Sequence, residues 1–216
     1  MTEQRPLHPT PVGALRFNTD SSKLEYFNGS EYVNITTDSP ERHTGGTRAM
    51  MLAGAYPVNT DIQIFNIATT GNATDSGFDY GTSRYLGGAA SDRTRGVYFG
   101  GYSPSAQIRF NSILSVGSTT EFGSLTSARF GGTGVSDSTR GISLGGSGPT
   151  GGSINAGMNN IEYVTIQSLG DAVDFGDLIQ ELASIQSCNS PTRGVISGGK
   201  EDSSNAAQNG IEYITM

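Results

Sequence analysis

The sequence predicts an all-β repeat protein: about three and a half units of four short strands, preceded by a small β-meander and an extended N-terminal arm. Three observations carry this reading. The phrase Thr-Arg-Gly, a short apolar run, then a small-Gly pair occurs four times, beginning at Thr47, Thr94, Thr139 and Thr192; the pair is Gly-Gly except in the first copy, where it is Ala53-Gly54 and Ala49 replaces the first glycine. The threonine always lies six residues before the small-Gly pair, and the copies are 45 to 53 residues apart, a period that marks a repeat architecture. Glycine, 31 of 216 residues, lies far above its usual share of roughly 7% and shows no collagen period, so it punctuates turns. Val, Ile, Tyr, Phe and Thr dominate the segments between, as a pleated and half-buried surface requires.

Residues 1–12 contain Pro6, Pro9 and Pro11 and no apolar period. Proline fixes φ and has no N–H, so this stretch is expected to be an extended arm. It offers Leu7 and Val12 as apolar contacts and Arg5 as a positive group, and these three are the candidate anchoring residues. Residues 13–46 form a β-module and connector. Asn18 and Asn28-Gly29 read as turns between partly alternating segments, and Asn-Gly between strands is a strong hairpin signal. A meander of three strands is expected.

Residues 47–216 are the repeat domain. After each glycine pair comes a strand-like segment, at residues 62–67, 108–113, 161–166 and 211–216. Eight residues after the end of each of the first three sits an acid: Asp75, Glu121 and Asp174. Near it lies a phenylalanine, Phe78, Phe122 or Phe175, expected to fill the core. A last strand is expected around Arg84-Tyr85, Arg129-Phe130 and Leu182-Ala183, ten residues before the next threonine. Residues 177–187 have helical spacing, but the distance from Leu178 to Thr192 equals that from Leu125 to Thr139, and the register favours a strand. The fourth copy stops halfway, so its sheet needs strands from residues 15–35 or from a neighbouring chain. One repeat cannot bury both its faces, so stability must come from its neighbours.

The repeated Arg48, Arg95, Arg140 and Arg193 are read as structural, pairing with the repeated Asp75, Glu121 and Asp174, because a catalytic triad breaks symmetry and these residues keep it. The gap from the second residue of the small-Gly pair to the next strand varies between 7 and 15 residues while everything after it keeps register. Insertions therefore collect at one loop per repeat, a place where binding can reside.

Chemical motifs are sparse. Gly146-Ser-Gly148-Pro-Thr-Gly151 matches a dinucleotide fingerprint, but no helix follows to receive a pyrophosphate, and it is read as a flexible loop. His8 and His43 lack partners at ligand or catalytic spacing, and Cys188 is read as a small semi-buried thiol. No catalytic, metal or cofactor-binding residue is expected. A net charge of −7 argues against nucleic acid as a partner, and no apolar stretch is long enough to span a membrane as a helix. No signal peptide is visible, and a single cysteine fits assembly in a reducing cytoplasm.

Residues 13–35 resemble a small β-module of bacteriophage tail-fibre and tail-associated proteins. The repeats, with Thr-Arg-Gly-Val, Gly-Gly, Ile-Glu-Tyr-Val-Thr-Ile and Gly-Asn-Ala-Thr-Asp-Ser-Gly, resemble the Kelch-like repeats of cyanophage-like virion structural proteins. The resemblance implies a β-propeller-type fold and a non-enzymatic virion protein, assembled in the host bacterial cytoplasm. A tail fibre or tail-associated part is favoured, with a capsid decoration or fibre protein as the alternative. A glycan-binding or glycan-degrading propeller is the rival from another class. The implied partners are sister copies, other virion proteins held through the arm, and host surface glycans. Relatives of this kind often carry more repeats in one chain, and this chain departs from them in that respect.

Overall fold

The computed structural model describes residues 10–20, 23–35, 46–54, 59–82, 84–102, 104–150, 153–201 and 206–216. Arg5, Leu7, both histidines and most of the connector lie outside the described residues. The described chain is all-β, with no helix and with antiparallel pairing throughout. It divides into two compact units, Met1–Arg42 and His43–Met216.

The first unit contains β1 (Leu15–Asn18), β2 (Lys23–Phe27) and β3 (Tyr32–Asn34), paired in that order as the expected meander. The β2–β3 turn uses Asn28, whose Oδ1 accepts the N–H groups of Ser30 and Glu31, and Gly29, whose φ of 107° suits glycine. Glu25 is buried, and its carboxylate accepts from Arg16 and Asn18. Val12 is exposed beside Gly29.

The second unit consists of four register-equivalent sheets. The first contains β4 (Arg48–Gly54), β5 (Asn59–Asn66) and β6 (Thr74–Asp79). The second contains β7 (Gly88–Ser91), β8 (Arg95–Phe99), β9 (Ser105–Ser112) and β10 (Thr120–Arg129), in the order β7-β8-β9-β10. The third begins with β11 (Thr133–Ser136) and β12 (Arg140–Leu144). A separate hairpin follows, β13 (Ser147–Thr150) with β14 (Ser153–Gly157). The third sheet then resumes with β15 (Asn160–Thr165) and β16 (Val173–Asp177). The fourth is built from β18 (Gln186–Ser190), β19 (Arg193–Ser197) and β21 (Ile211–Thr215), and the short β17 (Leu182–Ala183) and β20 (Lys200–Glu201) pair beside it.

Three expectations are corrected. The strand preceding each phrase begins about four residues later than expected: it is β7, β11 or β18, directly before the threonine. Arg84-Tyr85 is not in a strand, and Arg129 closes the long β10 instead. The hairpin β13–β14 takes up the region read as a flexible loop. Residues 177–187 contain no helix, in agreement with the register.

Alternating faces of the sheets build two cores. Val97, Phe99 and Ile108 of the second sheet pack with Val164 and Ile166 of the third. Ile142, Leu144 and Ile161 of the third pack with Ile196, Ile214 and Met216 of the fourth. Each middle sheet thus has a leading face on the sheet that follows and a trailing face on the sheet that precedes.

Each phenylalanine sits where the outer strand bulges, and their burial differs. Phe122 lies between the register pairs of Glu121 and Gly123 and is buried, edge-on to Phe110 at 5.9 Å. Phe175 is only half-buried against Tyr163. Phe78 is 42% exposed, because the wider bulge of β6 turns it outward, so its expected core role is not realised. Truncation to alanine should therefore cost about 3–5 kcal/mol at Phe122, less at Phe175 and least at Phe78. Chemical denaturation of the three variants checks this order, and equal losses would contradict it.

Candidate functional site

The repeated residues come together at the seams between sheets. The second, third and fourth phrases open with a hairpin turn. Asp92 Oδ1 accepts from the N–H groups of Thr94 (2.7 Å) and Arg95 (2.8 Å), and Asp137 Oδ1 from those of Thr139 (2.7 Å) and Arg140 (2.6 Å). Ser190 Oγ takes the same place before Thr192 and Arg193 with longer contacts. The threonine carbonyl then accepts the N–H of the residue just after the next central strand: Thr47 from Ile67, Thr94 from Ile113, Thr139 from Ile166 and Thr192 from Met216. The acid or serine two residues before the threonine was missed in the sequence reading, although it recurs at that offset in the second, third and fourth copies; the first has Gly45 there.

None of the four arginines pairs with the repeated acids, and two of them, Arg48 and Arg95, bind the backbone of the neighbouring sheet. Arg48 Nη1 donates to the carbonyls of Ile113 (2.8 Å) and Leu114 (2.6 Å) in the second sheet's repeat. Arg95 Nη1 donates to the carbonyl of Ile166 (2.9 Å) in the third, with its guanidinium 4.4 Å above the Phe110 ring. The two contacts are register-equivalent, so each arginine staples its sheet to the next. Arg140 instead turns back onto Asp137 Oδ2 at 3.0 Å. Arg193 stacks over Tyr213 at 4.6 Å. Salt bridges among the described residues join Arg16 to Glu25, Arg129 to Glu162 and Arg140 to Asp137, and none involves Asp75, Glu121 or Asp174. Asp75 and Asp174 accept the N–H groups of Gly77 and Gly176 and hold the outer-strand bulges.

The glycine pairs supply a second staple. Gly100 and Gly101 have φ of 64° and 115°, and Gly145 and Gly146 have 52° and 112°, a conformation that L side chains resist. It directs the N–H of Gly101 to the Arg129 carbonyl and that of Gly146 to the equivalent Leu182 carbonyl, both at 2.9 Å.

Two polar clusters lie inside the seams. Arg129 and Glu162 are fully buried and joined at 2.5 Å, and Glu162 also accepts from the N–H and hydroxyl of Thr126. Burial lowers the Arg129 pKa against the opposing pull of Glu162. Between the first and second sheets, Tyr98 donates to Asn111 Oδ1 at 2.8 Å, and Arg109 donates to Thr119, whose hydroxyl reaches the Tyr80 carbonyl. Burial raises the phenol pKa of both Tyr80 and Tyr98.

Two clefts open along the first sheet. One, about 470 Å³, is lined by Arg48, Asn66, Asn72 and Thr74 among others. The other, about 360 Å³, lies between Met50, Tyr80, Tyr85 and Tyr98. Among the described residues no three His, Cys, Asp or Glu side chains converge as a metal site. Cys188 is exposed, which corrects the semi-buried reading: it sits on a face of the fourth sheet that the described chain leaves uncovered. No protein-family model matches the chain, and no curated protein matches it.

The buried pair makes a stability prediction. Arg129→Met strands the Glu162 carboxylate and should cost about 3–5 kcal/mol, while the double variant Arg129→Met/Glu162→Gln should recover part of the loss. Urea unfolding measures both, and a harmless single variant would show that the pair contributes nothing.

Acid stability gives a second. Burial would raise the Asp92 and Asp137 pKa, but hydrogen bonds from Gln167 and local N–H groups at Asp92, and from the Thr139–Arg140 turn at Asp137, hold both below the ordinary 3.8. A depressed folded pKa contributes stability above the unfolded value that is lost as pH falls through the folded one. The contribution should be complete near neutrality and disappear below about pH 4. Melting scans from pH 6 to 2 should show a shallower acid decline for Asp92→Asn/Asp137→Asn than for the parent chain.

Proposed function

We propose that the chain is a non-enzymatic structural protein of a bacteriophage particle, with Kelch-like, propeller-type repeats, most simply a tail-fibre or tail-associated component. The supporting observation is the division of the chain into a small three-stranded unit and a unit of register-equivalent sheets. The first suits attachment and the second a rigid projecting scaffold. The repeated side chains serve turns and seams, as stacking requires, and insertions leave every sheet at the same point, after the glycine pair. The proposed partners are sister copies, other virion proteins through residues 1–12, and host surface glycans. The Arg48–Asn66–Asn72–Thr74 cleft favours the last, because amide, hydroxyl and guanidinium groups suit sugar hydroxyls. Host bacterial cytoplasm as the place of assembly, and capsid decoration as the other virion role, belong to the same proposal.

Antibody labelling of purified particles against residues 47–216, with mass spectrometry of the virion, tests this reading. Removing residues 1–11 should leave the melting temperature unchanged and abolish incorporation into particles. Truncated protein present at normal copy number would move the anchor into the β1–β3 module, and absence of the full chain from particles would end the virion reading.

A further inference from the structure

We infer that the fourth sheet docks by its leading face on the trailing face of the first sheet of a second copy, head to tail, repeating the seam that joins sheets within the chain. The evidence is a comparison of equivalent positions. Ile62, Ile108 and Ile161 occupy one register place on the leading faces and are 0%, 0% and 2% exposed; the fourth occupant, Ile211, is 73% exposed. Phe110 and Tyr163 are half-buried where Tyr213 is 63% exposed. The trailing faces show the converse. Tyr98, Ser143 and Ile196 are buried where Met51 of the first sheet is 56% exposed. Ile113 and Ile166 are buried where Ile67 is 63% exposed. The two uncovered faces are thus the two halves of one seam.

Charge points to the same occupant. Arg95 lies over Phe110 and donates to the Ile166 carbonyl of the next sheet. Arg193 lies over Tyr213 in the same posture and makes no side-chain hydrogen bond among the described residues. The carbonyl in the register place of Ile166 on a first sheet is that of Ile67, so Arg193 is poised to donate to Ile67 of the second copy.

Sterics agree as well. A methyl placed on Gly141 would lie 3.2 Å from Ala90 Cβ and 3.4 Å from Phe99, and one on Gly194 would lie 2.9 Å from Val135 Cγ2 and 3.4 Å from its Cβ. The equivalent pair across the new seam is Ala49 and Cys188. Ser197 stands where Phe99 and Leu144 stand, which leaves room for the Ala49 methyl. The arrangement is heterologous, so it generates rings or filaments instead of two-fold dimers. It holds whether or not the chain belongs to a virion.

The Ala49–Cys188 correspondence supplies the test. A Cβ placed on Gly141 or Gly194 would lie 3.2 or 3.4 Å from the facing Cβ, close to the disulfide range of about 3.5–4.5 Å. In the Ala49→Cys variant, the introduced thiol of one copy should join Cys188 of the next when diamide takes up the two electrons and two protons released by the thiols. Non-reducing electrophoresis should show dimers and higher multiples that collapse on reduction and are absent from Ala49→Cys/Cys188→Ser. A cross-link within one chain, read as a compact monomer band, or no cross-link in a variant that melts like the parent, would overturn the proposal. Sedimentation of the unmodified full chain is the independent arm. It should run above monomer mass, and Ile211→Asp/Tyr213→Glu should run as monomer with little change in melting temperature. A parent chain that stays monomeric at the highest attainable concentration would overturn the proposal even if the cysteine variant fails to fold.

Discussion

The fold rests on one constraint: a sheet of three or four short strands cannot bury two apolar faces by itself. Several constant offsets in the second unit serve the contact between one sheet and the next. The apolar run of the phrase and the strand that follows it alternate between leading and trailing faces, so Val97 and Tyr98, adjacent in sequence, meet different sheets. The arginine and the second glycine then fasten the seam through backbone carbonyls. Hydrogen bonds from a charged donor contribute about 1.5–3 kcal/mol each when buried, comparable with burying one large apolar side chain. The arginine staples here are part-buried or exposed and the glycine donors are neutral, so they contribute less than that, and they fix the register in which sheets meet.

Backbone acceptors explain why the arginine could recur without a recurrent partner. A carbonyl is present whatever residue occupies the position, so Ile113 and Leu114 serve Arg48 while Ile166 serves Arg95. Sequence pattern alone favoured the acids eight residues further on, because only side chains leave a trace there. Arg140 shows how closely balanced the two choices are. Its own turn aspartate presents Oδ2, and the guanidinium takes it. At Asp92 the equivalent oxygen is occupied by Gln167, and Arg95 goes to the carbonyl instead.

The existence and order of the strands were legible because the repeat multiplied a weak local signal. The hairpin at Asn28-Gly29 and the absence of a helix over residues 177–187 were legible too, from turn chemistry in one case and register in the other, although only the short β17 and the ends of β16 and β18 are strand there. Burial at single positions was less legible. Phe78, Phe122 and Phe175 look alike in sequence, yet the bulge at Phe78 is wider than the one-residue bulges at Phe122 and Phe175, and Phe122 and Phe175 differ in what packs against them. The strand before the phrase was misplaced because the arginine-containing segments looked like strands, whereas Arg129 is a long side chain driven inward to meet Glu162. Neither that pair nor the exposure of Cys188 has a local signature, since both depend on which sheet lies opposite.

Ala49 separates the two kinds of repeated residue. Gly141 and Gly194 are glycines because the leading face of the preceding sheet presses on them: Ala90 and Phe99 on the first, Val135 on the second. Their backbones are ordinary extended strand, so no conformational demand requires glycine there. The pairs at Gly100, Gly145 and Gly198 are different, because their positive φ demands glycine whatever lies opposite. The turn residues and the pairs therefore answer to local geometry, and the glycine after the arginine answers to a neighbour. Substitution at Ala49 falls in the second class and in the one sheet with no preceding sheet among the described residues. A seam formed there by another copy meets a face one methyl thicker than the internal ones, and the smaller Ser197 on the opposing face is the change that accommodates it.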